Sequence, residues 1–172
     1  MTRGDGVTTR PDADDLRRVW DALSDVKDPE IPSVSLVELG MVPEVLLDAG
    51  RVVVRMLPTF AGCPALDTMR EQIEHAVRGA GFEDVRVEVV FDPPWSTDRI
   101  TTEGLAKLKA FGLAPPRRCG EAGADERGLK DVACPYCGST DTALESIFGP
   151  TLCRAIHYCN DCRQSFEQFK PV

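Results

Sequence analysis

Cys134-Pro-Tyr-Cys137-Gly138 and Cys159-Asn-Asp-Cys162, with 21 residues between the two pairs, decide how the C-terminal segment of this chain folds. Two thiolates three positions apart on a tight turn both point inward, so each pair clamps one side of a tetrahedral metal. Gly138 suits such a turn, because the backbone there often needs φ > 0. A short segment with few large apolar residues takes most of its folding energy from the metal, roughly 10–16 kcal/mol for structural zinc. All four cysteines read as ligands, which leaves no open position for chemistry. Residues 129–172 are therefore expected to form a structural zinc ribbon, and any chemistry must lie upstream.

The rest of the chain has room for one ordinary domain. At 172 residues and 42 % apolar content it can build a core, yet no apolar run approaches the ~18 residues of a membrane span. Met1 to Asp15 is polar and lacks the apolar stretch of a signal peptide; residues 1–11 are expected to be a disordered leader. Seven cysteines, an odd number with four at metal spacing, fit a reducing compartment better than a disulfide framework. A cytoplasmic location is expected. Cys63, Cys119 and Cys153 are left over.

Zinc ribbons often bind nucleic acid, but the charge here opposes it. The net charge is −8. From Leu129 onward, Lys130, Arg154, Arg163 and Lys170 face Asp131, Asp141, Glu145, Asp161 and Glu167. That balance offers no cationic face to release counterions from phosphates.

Upstream, Leu16, Val19, Trp20, Leu23 and Val26 recur at helical spacing after an acidic start at Asp12, Asp14 and Asp15. The helix they predict must end near Asp28-Pro29, since proline disfavours helical geometry in the preceding residue. Glu30-Ile31-Pro32-Ser33-Val34 reads as an ordered, non-helical loop. Val42 to Asp48 and Arg51 to Leu57 are β-rich runs hinged at Asp48-Ala49-Gly50, a hairpin signal. Gly62-Cys63-Pro64 opens a second helix with Leu66, Met69, Ile73, Val77 and Ala80 as its buried stripe and Gly79 and Gly81 as its stop. Val85, Val87 and Val89 alternate with charges as a half-buried strand. A last helix is predicted from Asp98 to Phe111, turning Ile100, Leu105, Leu108 and Phe111 inward. The expected fold class is α+β: a compact αββαβα domain over residues 12–113, a Pro- and Gly-rich linker over 114–128, and the ribbon.

Within the first domain, Cys63 carries the strongest chemical signal. It precedes Pro64, and proline favours the first helical position, which places Cys63 at an N-cap where a thiol pKa falls and the sulfur becomes a nucleophile or soft-metal ligand. The competing reading is a buried cysteine acting as a small apolar residue. Asp28 and Glu30 could bind iron or act as acid and base, although such residues more often cap turns or face water. His75 and His157 are expected to be solvated. Cys119 has no evident role, and Cys153 is close enough in sequence to the ribbon metal to pack beside it or exchange for a ligand. There is no phosphate loop, Ser-His-Asp set or His-Glu-x-x-His helix.

Two segments, Asp28-Pro-Glu-Ile-Pro-Ser-Val-Ser-Leu-Val-Glu-Leu-Gly-Met41 and Pro58-Thr-Phe-Ala-Gly-Cys-Pro64, resemble the iron–sulfur assembly domain of cluster-carrier factors. Pro94-Trp-Ser-Thr-Asp-Arg-Ile100, Phe111-Gly-Leu-Ala-Pro-Pro116 and Phe148-Gly-Pro-Thr-Leu-Cys153, together with the ribbon, resemble the PaaD-type accessory subunits of the phenylacetyl-CoA epoxidase system. The resemblance runs from about residue 14 to the C-terminus. It implies an accessory, non-catalytic role in aerobic phenylacetate degradation, with the oxygenase or reductase subunits as partners. By motif, Cys63 would hold or pass iron or a cluster, Asp28 and Glu30 would flank it, and Thr59 and Gly62 would shape its loop. A lone cysteine does not complete a four-thiolate site, so a homodimer, a partner or a small thiol would supply the rest and the cargo would be transient. Two other readings stand beside this one: a purely structural subunit of the oxygenase complex, and a thiol oxidoreductase, weakened because Cys63 has no CxxC partner.

Overall fold

A computed structural model describes residues 13–48, 50–117, 126–130 and 132–171. The expected leader and Cys119 lie outside the described residues. Two sheets organise the chain. The first joins β1 (Glu44–Asp48), β2 (Arg51–Met56) and β3 (Val85–Val89) in that order. β1 and β2 are an antiparallel hairpin with Val45 opposite Val54, whereas β2 and β3 run parallel with Val54 opposite Val87. The parallel step needs a crossover, which α2 (Leu66–Gly79) provides. Val52, Val54 and Met56 alternate inward from β2 and meet Val19 and Leu23 of α1 (Ala13–Ser24) and Met69, Ile73 and Val77 of α2 in one core.

The first helix stops at Ser24, short of the predicted Asp28-Pro29. The Ser24 hydroxyl donates back to the Trp20 carbonyl at 2.9 Å, and Asp25 and Val26 close three-residue turns onto Ala22 and Leu23, the tightening that satisfies terminal carbonyls. Val26 is buried from beyond the helix end. The following proline loop is ordered and non-helical, as predicted. Asp28 Oδ1 accepts from the amides of Glu30 at 2.8 Å and Ile31 at 2.9 Å, and Ser35 and Glu38 exchange capping-box bonds. Ile31, Val34, Leu36, Leu39 and Met41 close one wall of the core from this loop.

Two capped pieces replace the predicted helix over 98–111. Ser96 caps a 3-10 turn at Thr97–Arg99, and Thr101 caps α3 (Thr102–Ala110) by accepting from the Gly104 amide at 3.0 Å. Ile100 and Leu108 are buried and Leu105 is partly so, but Phe111 lies past the helix and is exposed.

In the second sheet the order is β4 (Leu113–Ala114), β7 (Ser165–Phe169), β6 (Arg154–Cys159) and β5 (Thr142–Ser146). Three strands are the antiparallel ribbon; β4 pairs parallel to β7, with Leu113 opposite Glu167. Leu113 and Ala114, which the sequence puts at the boundary of domain and linker, are thus strand residues of the ribbon sheet. The ribbon is also seated in the first core. Phe169 packs on Trp95 with ring centroids 5.9 Å apart, and Phe169 and Leu113 belong to that core.

Candidate functional site

The four ribbon cysteines converge. Their sulfurs all lie within 4.8 Å of one another, with Cys134 to Cys162 at 3.7 Å and Cys137 to Cys159 at 3.6 Å. A tetrahedron with zinc–sulfur bonds of about 2.3 Å has edges of about 3.8 Å, so the set fits the ion. The turns are built for this. Gly138 adopts φ 79° and its amide bonds the Cys134 carbonyl at 2.9 Å; Arg163 adopts φ 59° and its amide bonds the Cys159 carbonyl at 2.9 Å. The Cys162 amide, then the Cys162 and Cys137 thiols and last the Asp161 amide, outweigh burial and lower the Cys159 pKa to about 7. Ser139 and Asp161, and Asn160 and Asp141 at 2.8 Å, lock the two turns together. Cys134 and Cys159 are buried. The metal there would hold the fold, with no open coordination position for a substrate.

Cys63 does not cap α2. The N-cap is Ala65, two residues on. Cys63 instead closes a turn in which its amide bonds the Phe60 carbonyl at 3.2 Å, and a second turn from its carbonyl to the Leu66 amide leads into the helix. Pro64 is therefore outside the helix. Gly62 sits in the first turn without positive φ and with open space where a Cβ would stand, so nothing local requires glycine there. The thiol pKa is also shifted oppositely to the N-cap expectation. Burial pushes it up, a bond from the Ala65 amide pulls down, and the carboxylates of Glu30 and Asp28 push up again.

Around Cys63 is a small pocket lined by Glu30, Thr59, Phe60, Pro64, Thr151, Leu152 and Cys153. Glu30 and Thr59 both line the pocket with Cys63. Asp28 is not in the pocket wall. Its carboxylate is engaged by the Glu30 and Ile31 amides, and it positions the loop that presents Glu30. Burial raises the Asp28 pKa, against the two amide bonds and the charge of Arg154.

Cys153 is the member that sequence reasoning misplaces. It packs against the first core with Cys63, away from the ribbon metal. Its thiol shares a hydrogen bond with the Thr151 hydroxyl at 3.2 Å, and burial raises its pKa. The Gly149-to-Cys153 turn makes this approach, closed by the Gly149 amide on the Arg154 carbonyl at 3.0 Å; a Cβ at Gly149 would stand 3.0 Å from Arg154 Cβ. The signal was the Phe148–Cys153 motif, but spacing does not say which sheet face its cysteine serves. Arg154, 8 % exposed, fastens the arrangement by pairing with Glu167 at 2.8 Å and donating to the Glu30 carbonyl at 3.1 Å.

His75 is exposed, as expected. His157 is not: it is 1 % exposed, stacked on Phe166 and bonded to Gln168 Oε1 at 3.0 Å. On β6 it alternates to the same buried face as Cys159, which makes it a ribbon core residue.

Residues 16–89 match the family model of an iron–sulfur cluster assembly protein, and residues 120–170 match that of the PaaD zinc beta ribbon domain. The chain is 36 % identical, over 91 % of its length and 93 % of the relative's, to an Escherichia coli (strain K12) protein provisionally named as the D component of 1,2-phenylacetyl-CoA epoxidase. It is 32 % identical, over 48 % of its length and 82 % of the relative's, to the Bacillus subtilis (strain 168) Fe-S protein maturation auxiliary factor YitW. The crystal structure of a domain of unknown function, DUF59, from Bacillus anthracis is similar in fold, with TM-score 0.52 and 28 % identity over 55 % of this chain and 92 % of that one. No described helix is long and apolar enough to cross a membrane.

Proposed function

The chain belongs to the PaaD family of phenylacetyl-CoA epoxidase subunits, and we propose that it is a non-catalytic maturation factor of that oxygenase system, handling iron or an iron–sulfur cluster through Cys63. The observation that carries this reading is the pocket itself. A partly exposed thiol, a carboxylate at Glu30 and a second thiol at Cys153 surround one small space in the domain that matches iron–sulfur assembly proteins. Thiolates hold zinc, Cu(I) and iron–sulfur clusters. The ribbon is a zinc-stabilised module that presents Cys153 and a docking surface for the oxygenase or reductase subunits in the cytoplasm. The division into an assembly domain over residues 12–113 and a ribbon over 129–172 is supported by the two sheets, with β4 tying one to the other.

A thiol-exchange enzyme is disfavoured. The pocket does supply the partner thiol that no CxxC motif provides, but both thiols are shifted toward the protonated, unreactive form. A scaffold role in the oxygenase complex draws support from Ile147, Phe148 and Leu152, exposed apolar residues close in sequence to Cys153, with Phe148 at 68 %. Metal content separates the two. Anaerobically purified wild type is expected to hold iron that Cys63→Ser lacks, with ribbon zinc equal in both. Zinc alone in both proteins would favour the scaffold.

A further inference from the structure

Cys153 belongs to the ribbon sequence but not to the ribbon metal, and both it and Cys63 are free thiols against the same core. They line one pocket together with Glu30, and its free space is about 20 Å³. That is enough for one small particle, since a single water needs about 10–15 Å³. The charges are unbalanced. Two thiolates beside Glu30 and Asp28 would repel one another, and the nearby cation, Arg154, is already engaged by Glu167 and by the Glu30 carbonyl. A divalent ion supplies the missing charge and inverts the preference for protonated thiols.

We propose that Cys63 and Cys153 are the two thiolate ligands of a second metal site, formed between the assembly domain and the ribbon and taking one thiophilic divalent ion such as Fe²⁺. This rests on the reading of Cys63 as the metal-handling thiol and narrows its cargo to a single ion. Binding breaks two S–H bonds, forms two metal–sulfur bonds and releases both protons to solvent, with no electron transferred.

The test uses the full-length chain with its ribbon zinc in place, titrated anaerobically with Co²⁺. Cobalt ranks below zinc in affinity and so leaves the ribbon occupied. One further ion per chain with a thiolate-to-cobalt absorption band is expected, and Cys63→Ser and Cys153→Ser should each weaken it by more than about a hundredfold, beyond the effect of losing an outer-shell partner. Ribbon zinc of one per chain in each variant verifies folding. If Cys153→Ser binds like wild type while Cys63→Ser does not, the paired site is wrong and the Cys63 reading stands. If neither variant changes binding, both fall. A wild type that takes up no second ion overturns the paired site. Independently of variants, dibromobimane should join Cys63 to Cys153 in the wild type, as read by peptide mapping, and Co²⁺ should block it. Absence of that cross-link would overturn the proposal.

Discussion

Arg154 donates to the Glu30 carbonyl at 3.1 Å while its other terminal nitrogen pairs with Glu167 at 2.8 Å, so one buried ribbon side chain fixes the loop that presents the pocket carboxylate. The bond crosses from the second sheet to the first unit. It explains how a small ribbon holds Cys153 in register with Cys63.

Arg154→Gln removes the charge and leaves Glu167 without its partner. Hydrogen bonds to charged groups contribute about 1.5–3 kcal/mol, and a loss in that range is expected in urea unfolding. The Cys153 thiol, which Arg154 pulls down, should shift further up and alkylate more slowly at neutral pH. Unchanged stability would show the bridge to be incidental.

The Cys63 thiol titrates above its ordinary value, chiefly through burial and then through Glu30 and Asp28. Iodoacetamide labelling of Cys63 should therefore rise only above the usual cysteine range near ~8.5, and Glu30→Gln should move the profile downward. The linked stability has a definite sign. The folded chain holds this proton more tightly, so the contribution is complete below the unfolded pKa and is lost as pH rises through the folded one.

His157 has the opposite sign. Burial lowers its pKa, with the Gln168 bond partly offsetting. The unfolded chain binds the proton more readily, so stability present above about 6.5 is lost as pH falls through the folded value. His157→Gln should flatten this loss when urea midpoints at neutral and mildly acidic pH are compared.

Chelating the ribbon metal, or substituting Cys159→Ser, should unfold the ribbon strands, because structural zinc contributes about 10–16 kcal/mol to such modules. Phe169 then leaves Trp95, so tryptophan fluorescence should change with zinc loss. Native fluorescence in a zinc-free chain would mean that the ribbon folds on packing alone.

Periodicity and spacing made much of this legible. The β-rich run from Arg51 to Leu57 is strand β2, Met69, Ile73 and Val77 recur at helical spacing and are buried, and the four ribbon cysteines at metal spacing converge. What escaped depends on side-chain bonds and long-range packing. Ser24 ends the first helix early, Ser96 and Thr101 split the last, and Ala65 caps the second in place of Cys63. His157 looked solvent-exposed because its partners, Phe166 and Gln168, sit on another strand. Cys153 looked like a spare ribbon ligand because no local pattern records that the Gly149 turn faces Cys63.

The most direct test of the maturation role is the iron content of the epoxidase oxygenase and reductase components purified from cells carrying this chain as wild type or as Cys63→Ser. The account predicts iron-deficient, poorly active components with Cys63→Ser, although the variant folds and keeps its ribbon zinc. Fully loaded components in both cells would contradict it.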